Sequence, residues 1–169
     1  MAVSIPVFLS APTSLNLEQD EIYKFTVDAL RQEALLPRAL GRGDYPQHDP
    51  LTEVYFIARA CYGGLILGFS QVEASSGVIK SGTSNEKQIT SPVRFPTPWN
   101  QIEAGLLLAL RKPLLVFCQD GVAGGIFDQG AFSGFLQRFK PGAMTSTDWE
   151  QMRERVRHWS AEVRGHFRR

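Results

Sequence analysis

The sequence predicts an α/β domain, doubly wound, with a mainly parallel sheet of about five strands. Three observations carry that expectation. The runs "IPVFLS" (residues 5–10), "GLILGF" (64–69) and "PLLVFC" (113–118) are continuously apolar, without the alternation of a strand that wets one face. Segments with apolar residues at helical spacing separate them. Pro-, Gly- and Ser-rich turns mark the boundaries.

The first run is a buried strand ending in the turn "APTS". The following "LEQDEIYKFTVDALRQEALL" is helical, with Ile22, Phe25, Ala29 and Leu30 on one face, acids early and Arg31 late. "PRAL" is a short strand, and "GRGDYPQHDP" is a loop containing His48. Asp49-Pro50 opens a helix "LTEVYFIARACYG" that closes on glycine. After the second apolar run, residues 73–95 form a long polar, Gly/Ser-rich insert, read as a mobile excursion with a weak hairpin. Thr97 caps a third helix with Pro98 at its first position, running to about Leu110 and into "PLLVFC". A Gly-rich loop, "QDGVAGGIFDQGAFSG", precedes a further strand, "FLQRF". Thr147-x-x-Glu150 reads as the capping box of a C-terminal helix at about 147–167, whose stripe is Trp149, Met152, Val156, Trp159 and Val163. The whole is one flavodoxin-like or Rossmann-like domain over residues 1–169.

Composition narrows the function classes. The chain of 169 residues is 43% apolar and 21% charged, ordinary for a folded domain, and its net charge of +1 gives no electrostatic case for nucleic acid or an anionic membrane. Cys61 and Cys118 sit beside strands in apolar surroundings and read as small buried hydrophobes in a reducing, cytoplasmic setting. Too few cysteines and no suitably spaced histidines argue against a metal site. The N-terminal "MAVSIPVFLSAP" lacks the basic start of a signal peptide and reads as a first strand.

In such folds ligands sit beyond the carboxyl ends of the strands, which points to "SAPTS", the loop after Phe69, "FPTPWN" and "QDGVAGG". Within them Glu103 is conspicuous: it is the one acid in a helix that is otherwise nearly all apolar. An unpaired buried carboxylate costs several kcal/mol or takes up a proton, so Glu103 is paired, faces a cleft, or simply faces water near a helix start. Trp99 and Asn100 fall on its face, and a ring, an amide and a carboxylate together suit a ribose or a base.

Those residues carry a resemblance. "TPWNQIEAGLLLALRKPLLVF" resembles the Ser/Thr-x-Trp-x-x-x-Glu segment of Toll/interleukin-1 receptor (TIR) domains. It is also similar to the Gly-Thr-x-x-Glu-x-Gly segment of nucleoside 2-deoxyribosyltransferases, with its Lys-Pro before a strand. "VFLSAPTS" is similar to the first strand and ligand loop of either family, and the likeness extends over about residues 4 to 119. Some positions depart from it: Cys61-Tyr62 and Phe69-Ser70 stand where the transferases carry aspartates, Phe8 replaces their tyrosine, and Asn100 replaces the cysteine of the TIR pattern.

The resemblance implies cleavage of an N-glycosidic bond, most of all that of NAD, with Glu103 as the catalytic group that stabilises or traps a ribosyl oxocarbenium. Nicotinamide leaves from a cationic state and needs no general acid. The residues assigned to substrate binding are Ser10, Ala11, Thr13, Phe69, Trp99, Asn100 and Asp128. Asp128 is a proton donor to a neutral base or a turn residue capping local backbone, and Ser10 and Thr13 hold ribose and phosphate or form a plain turn. No cofactor is expected to be required, with NAD or another nucleotide entering as substrate. The expected partners are that nucleotide and further copies of the chain, not nucleic acid or membrane. Bacterial stress or antiphage signalling is the setting that the resemblance implies. The alternatives are a nucleoside deoxyribosyltransferase and a non-catalytic nucleotide-sensing or assembly module.

Overall fold

A computed structural model describes residues 4–40 and 49–168. The predicted loop "GRGDYPQHDP" therefore lies outside the described residues except for Asp49 and Pro50, and so does His48. In chain order the elements are β1 (Ile5–Ser10), α1 (Leu17–Gln32), β2 (Leu35–Arg38), α2 (Pro50–Ala60), β3 (Gly64–Gly68), β4 (Val72–Ala74), β5 (Val78–Ile79), β6 (Lys87–Gln88), β7 (Val93–Phe95), α3 (Pro98–Ala109), β8 (Leu114–Gln119), β9 (Phe135–Phe139) and α4 (Ser146–Phe167).

Five of the strands form one sheet in the order β2-β1-β3-β8-β9, and every neighbouring pair is parallel. Alternate side chains feed two cores, because successive residues of a strand point to opposite faces. Val7, Leu9, Leu65, Leu67, Leu115 and Phe117 pack beneath α1 and α4, with Ile22, Leu30, Met152, Val156, Trp159 and Val163. Phe8, Ile66, Leu114, Val116 and Cys118 pack against α2 and α3, with Val54, Ile57, Ala104 and Leu107. Helices cover both faces, as the unbroken apolar runs predict. Reading the sheet in chain order gives 2-1-3-4-5, the flavodoxin-like winding, with its switch point between β1 and β3.

Local chemistry explains the boundaries. Asn16 caps α1 in a box with Gln19, Asp49 caps α2 through the Thr52 amide, and Thr97 caps α3 through that of Asn100. The first helix stops at Gln32, and β2 begins at Leu35, earlier than the predicted "PRAL", because Ala34 turns the chain at φ 55°. The C-terminal capping box is Thr145 with Asp148, two residues ahead of the predicted pair. α2 ends at Ala60, so Gly63 is no helix cap; it is buried where a Cβ would meet Val163 and Trp159. The insert contains two short antiparallel pairs, β4–β7 around β5–β6, and Arg94 is tied to Glu73 at 2.7 Å. Cys61 and Cys118 are both buried, and no disulfide joins them. No helix among the described residues is long and apolar enough to cross a membrane.

Candidate functional site

Ser10 is the last residue of β1 and is buried at the carboxyl edge of the sheet. Thr97 and Pro98 start α3 so that its first turns face that edge. Buried Asn100 donates from Nδ2 to the Ser10 Oγ at 2.7 Å. The Ser10 hydroxyl also lies close enough to Glu103, one turn further along the helix, to favour its ionised form. Burial pushes the Glu103 pKa up from its ordinary 4.5 to about 7, and the Ser10 hydrogen bond offsets part of that rise. Glu103 is thus no solvated surface acid: it is partly buried, beside the Ser10 hydroxyl, and forms no ion pair among the described residues.

Its carboxyl borders a cleft of about 360 Å³ lined by Ala11, Pro12, Thr13, Leu40, Pro50, Val54, Thr97, Trp99 and Glu103. The cleft opens between the loop after β1, the start of α2 and the start of α3, at the β1/β3 switch point. Trp99 is 41% exposed, so a large part of its ring is open to a ligand. None of the described residues lining the cleft is cationic. Beside it, Gln19 Nε2 donates to the Ser70 carbonyl at 3.2 Å and to Gln119 Oε1 at 3.1 Å, which also accepts the Ser70 N–H at 3.0 Å. This network joins α1 to the ends of β3 and β8.

Six of the eight predicted site residues therefore share one neighbourhood: Ala11, Thr13, Trp99 and Glu103 line the cleft, and Ser10 and Asn100 brace Glu103 from behind. Phe69 and Asp128 do not join them. Phe69 is wholly buried in the core under α1 and α4, edge-on to Phe139 at 5.7 Å between centroids. Asp128 accepts the Gly124 N–H at 2.8 Å, the turn-capping role, and borders a different groove. Sequence reasoning passed over Pro12, Leu40, Val54 and the Gln19–Ser70–Gln119 network. Leu40 and Val54 offered no signal beyond being apolar, whereas Pro50 and Thr97 were visible as helix starts.

No family model matches the chain, and no curated protein matches it. Solved structures do. A mutant flavo di-iron protein from Thermotoga maritima is similar at 14% identity and a TM-score of 0.56, over 96% of this chain and 37% of that one. The chain thus spans little more than a third of that protein. Diflavin flavoprotein A3 from Nostoc sp. is similar at 14% identity and a TM-score of 0.51, over 98% of this chain and 96% of that one. At this identity the likeness establishes the fold, flavodoxin-like, which the strand order shows independently. It also corrects one expectation. Both neighbours are named as flavin proteins, and this winding places a ligand at the switch point where the cleft lies, so the expectation that no cofactor is required is withdrawn.

A flavin can be tested against the residues present. The apolar walls and the open Trp99 ring fit a flat, uncharged ring system. Its phosphate finds no described cation in the lining, and Asn16 already occupies the Gln19 N–H at the start of α1. The described residues fit the ring and not the charged tail.

Proposed function

We propose that the chain cleaves or transfers at the N-glycosidic bond of a nucleotide, NAD foremost, with Glu103 facing the anomeric carbon. The observation that carries this reading is the one carboxyl among the described residues lining the cleft, beside Trp99, with Ser10 and Asn100 behind it. A glycosidic bond breaks through an oxocarbenium-like state, and one correctly placed carboxylate stabilises or captures it. In this reading the base stacks on Trp99 and the sugar lies over Glu103. A cationic leaving group is favoured because no described acid stands opposite Glu103 to protonate a neutral one. A cytoplasmic setting belongs to the proposal, in keeping with two buried thiols, one of which, Cys118, burial pushes up to about 11. The test is incubation with NAD, NADP and a nucleoside panel followed by mass separation of products. Release of the base by wild type and its loss in Glu103→Gln supports the reading; no product from any of them overturns it.

A second reading follows from the strand order and the flavin proteins that share it: the cleft holds the ring of a flavin. Titration with riboflavin and with its phosphate ester separates the two. Quenching of flavin fluorescence by the chain, equal for both compounds, is expected if the ring alone is bound, and unquenched fluorescence rules this occupant out.

A further inference from the structure

β9 ends the sheet with one edge unpaired, since β8 is its partner and no strand among the described residues lies beyond it. The opposite edge strand, β2, carries Pro37, which removes a ladder donor and discourages further pairing. β9 has no proline. Its single charge, Arg138, turns back to donate to the carbonyls of Val122 at 3.0 Å and Phe127 at 2.9 Å, so it does not guard the edge. Open grooves of about 570 and 510 Å³ flank the strand, one against α4 and one against the loop holding Asp128 and Phe132. Under α4, the Oε1 of Gln137 is buried without any hydrogen-bond donor.

We propose that this edge receives β9 of a second copy of the chain, antiparallel and centred on Gln137, so that the two sheets continue as one. Gln137 is the middle residue of Phe135–Phe139, and a two-fold axis there sets it opposite its own copy. Directly opposed side chains in an antiparallel pair lie roughly 5 Å apart. With its side chain turned out from under α4, each amide finds an Nε2 donor for its Oε1 on the other copy, which supplies the missing partner. The lip of the α4 groove is complementary to itself under the same axis. Arg155 and His158 stand over Phe135, at 5.1 and 5.7 Å from its ring centre. Glu150, in the second turn of α4, lines the same groove toward the Phe139 end. The antiparallel copy brings Glu150 against the partner's Arg155 and His158 at both ends of the interface. Glu154, nearer the axis, is held by Arg157 of its own helix at 2.5 Å, which offsets the approach of two like charges.

The proposal is independent of what occupies the cleft. Sedimentation velocity of the full chain over rising concentration is expected to show a monomer–dimer equilibrium. Glu150→Arg and Arg155→Glu are substitutions at exposed positions, and each is expected to weaken the dimer roughly tenfold or more. Mixing the two variants is expected to restore association, because each lip then meets its opposite. Hydrogen exchange on the wild type is expected to show protection of β9 amides that grows with concentration. A chain that stays monomeric throughout overturns the proposal. So does a dimer that both single variants leave intact, or protection that grows on elements other than β9 and α4.

Discussion

Asn100 donates its Nδ2 hydrogen to the Ser10 hydroxyl over 2.7 Å, which leaves that hydroxyl's own proton free to favour the ionised form of Glu103. A strand end and a helix start are thereby joined through one oxygen. The carboxyl thereby has a hydroxyl beside it in a setting that otherwise disfavours its charge.

With a pKa of about 7, Glu103 is mostly protonated below neutrality and ionised above it. A group that must meet a developing cation works in its ionised form, so turnover is expected to rise as pH increases through about 7. Carbon-13 resonances of labelled glutamate would give the midpoint directly. A Glu103 that titrates at its ordinary 4.5 removes this account.

The same shift has a stability consequence of the opposite sign. Below pH 4.5 the carboxyl is protonated in both folded and unfolded chains and contributes no difference. Between 4.5 and about 7 the folded chain keeps a proton that the unfolded chain has lost, so stability falls as pH rises. Above about 7 the whole cost is present, at most about 3 kcal/mol for a shift of this size. Glu103→Gln is therefore expected to melt higher than wild type at pH 8 and nearly level with it at pH 4, as differential scanning calorimetry would show.

Ser10→Ala removes the one hydroxyl that favours the ionised carboxylate and strands the buried amide of Asn100. The unsatisfied amide costs about 1–3 kcal/mol of stability. The pKa of Glu103 is expected to move further upward, so the activity profile shifts to higher pH instead of merely shrinking. A purely structural Ser10 would lower the melting temperature and leave the shape of the pH profile alone, and the two measurements together separate these roles.

Trp99 presents the reverse case. It is 41% exposed and lines the cleft, so Trp99→Ala is expected to leave the melting temperature within a degree or two, whereas ligand affinity drops by about 1–3 kcal/mol of lost stacking. Calorimetric titration with the nucleotide that supports turnover checks both halves. Trp99→Phe should recover most of the affinity, because a smaller ring still stacks.

How far these residues were legible in the sequence follows from what each signal encodes. Thr97-Pro98 fixes the start of α3, and the helical period then places Asn100 and Glu103 at the same end, which the structure shows. A continuous apolar run announces a buried strand but not where it ends or which side chain tips into a cleft. Phe69 thus read as a site residue and belongs to the core. The turn between α1 and β2 is made by Ala34 at φ 55°, with no glycine to mark it, and so the helical pattern ran on through Leu36. Two overlapping Thr-x-x-acid patterns precede α4, and the backbone bonds from Thr145 and Asp148 select the first. The network of Gln19, Ser70 and Gln119 joins positions far apart in sequence, and no local pattern reports it.

Gly68, at the end of β3, supplies the last prediction. A Cβ built there would clash with the edge of the Phe127 ring, a residue that is wholly buried and packs on the α2/α3 side of the sheet. Phe127 has little room to retreat, since its carbonyl is held by Arg138 and its neighbour Ile126 donates to Gln101 on α3. Gly68→Ala is expected to cost about 1–3 kcal/mol through overpacking, read as a lower denaturation midpoint at unchanged slope. Pairing it with Phe127→Leu should return part of the loss, because the smaller side chain vacates the volume the new methyl needs. If the double variant is instead as unstable as the sum of the two singles, the clash with Phe127 is not the origin of the effect.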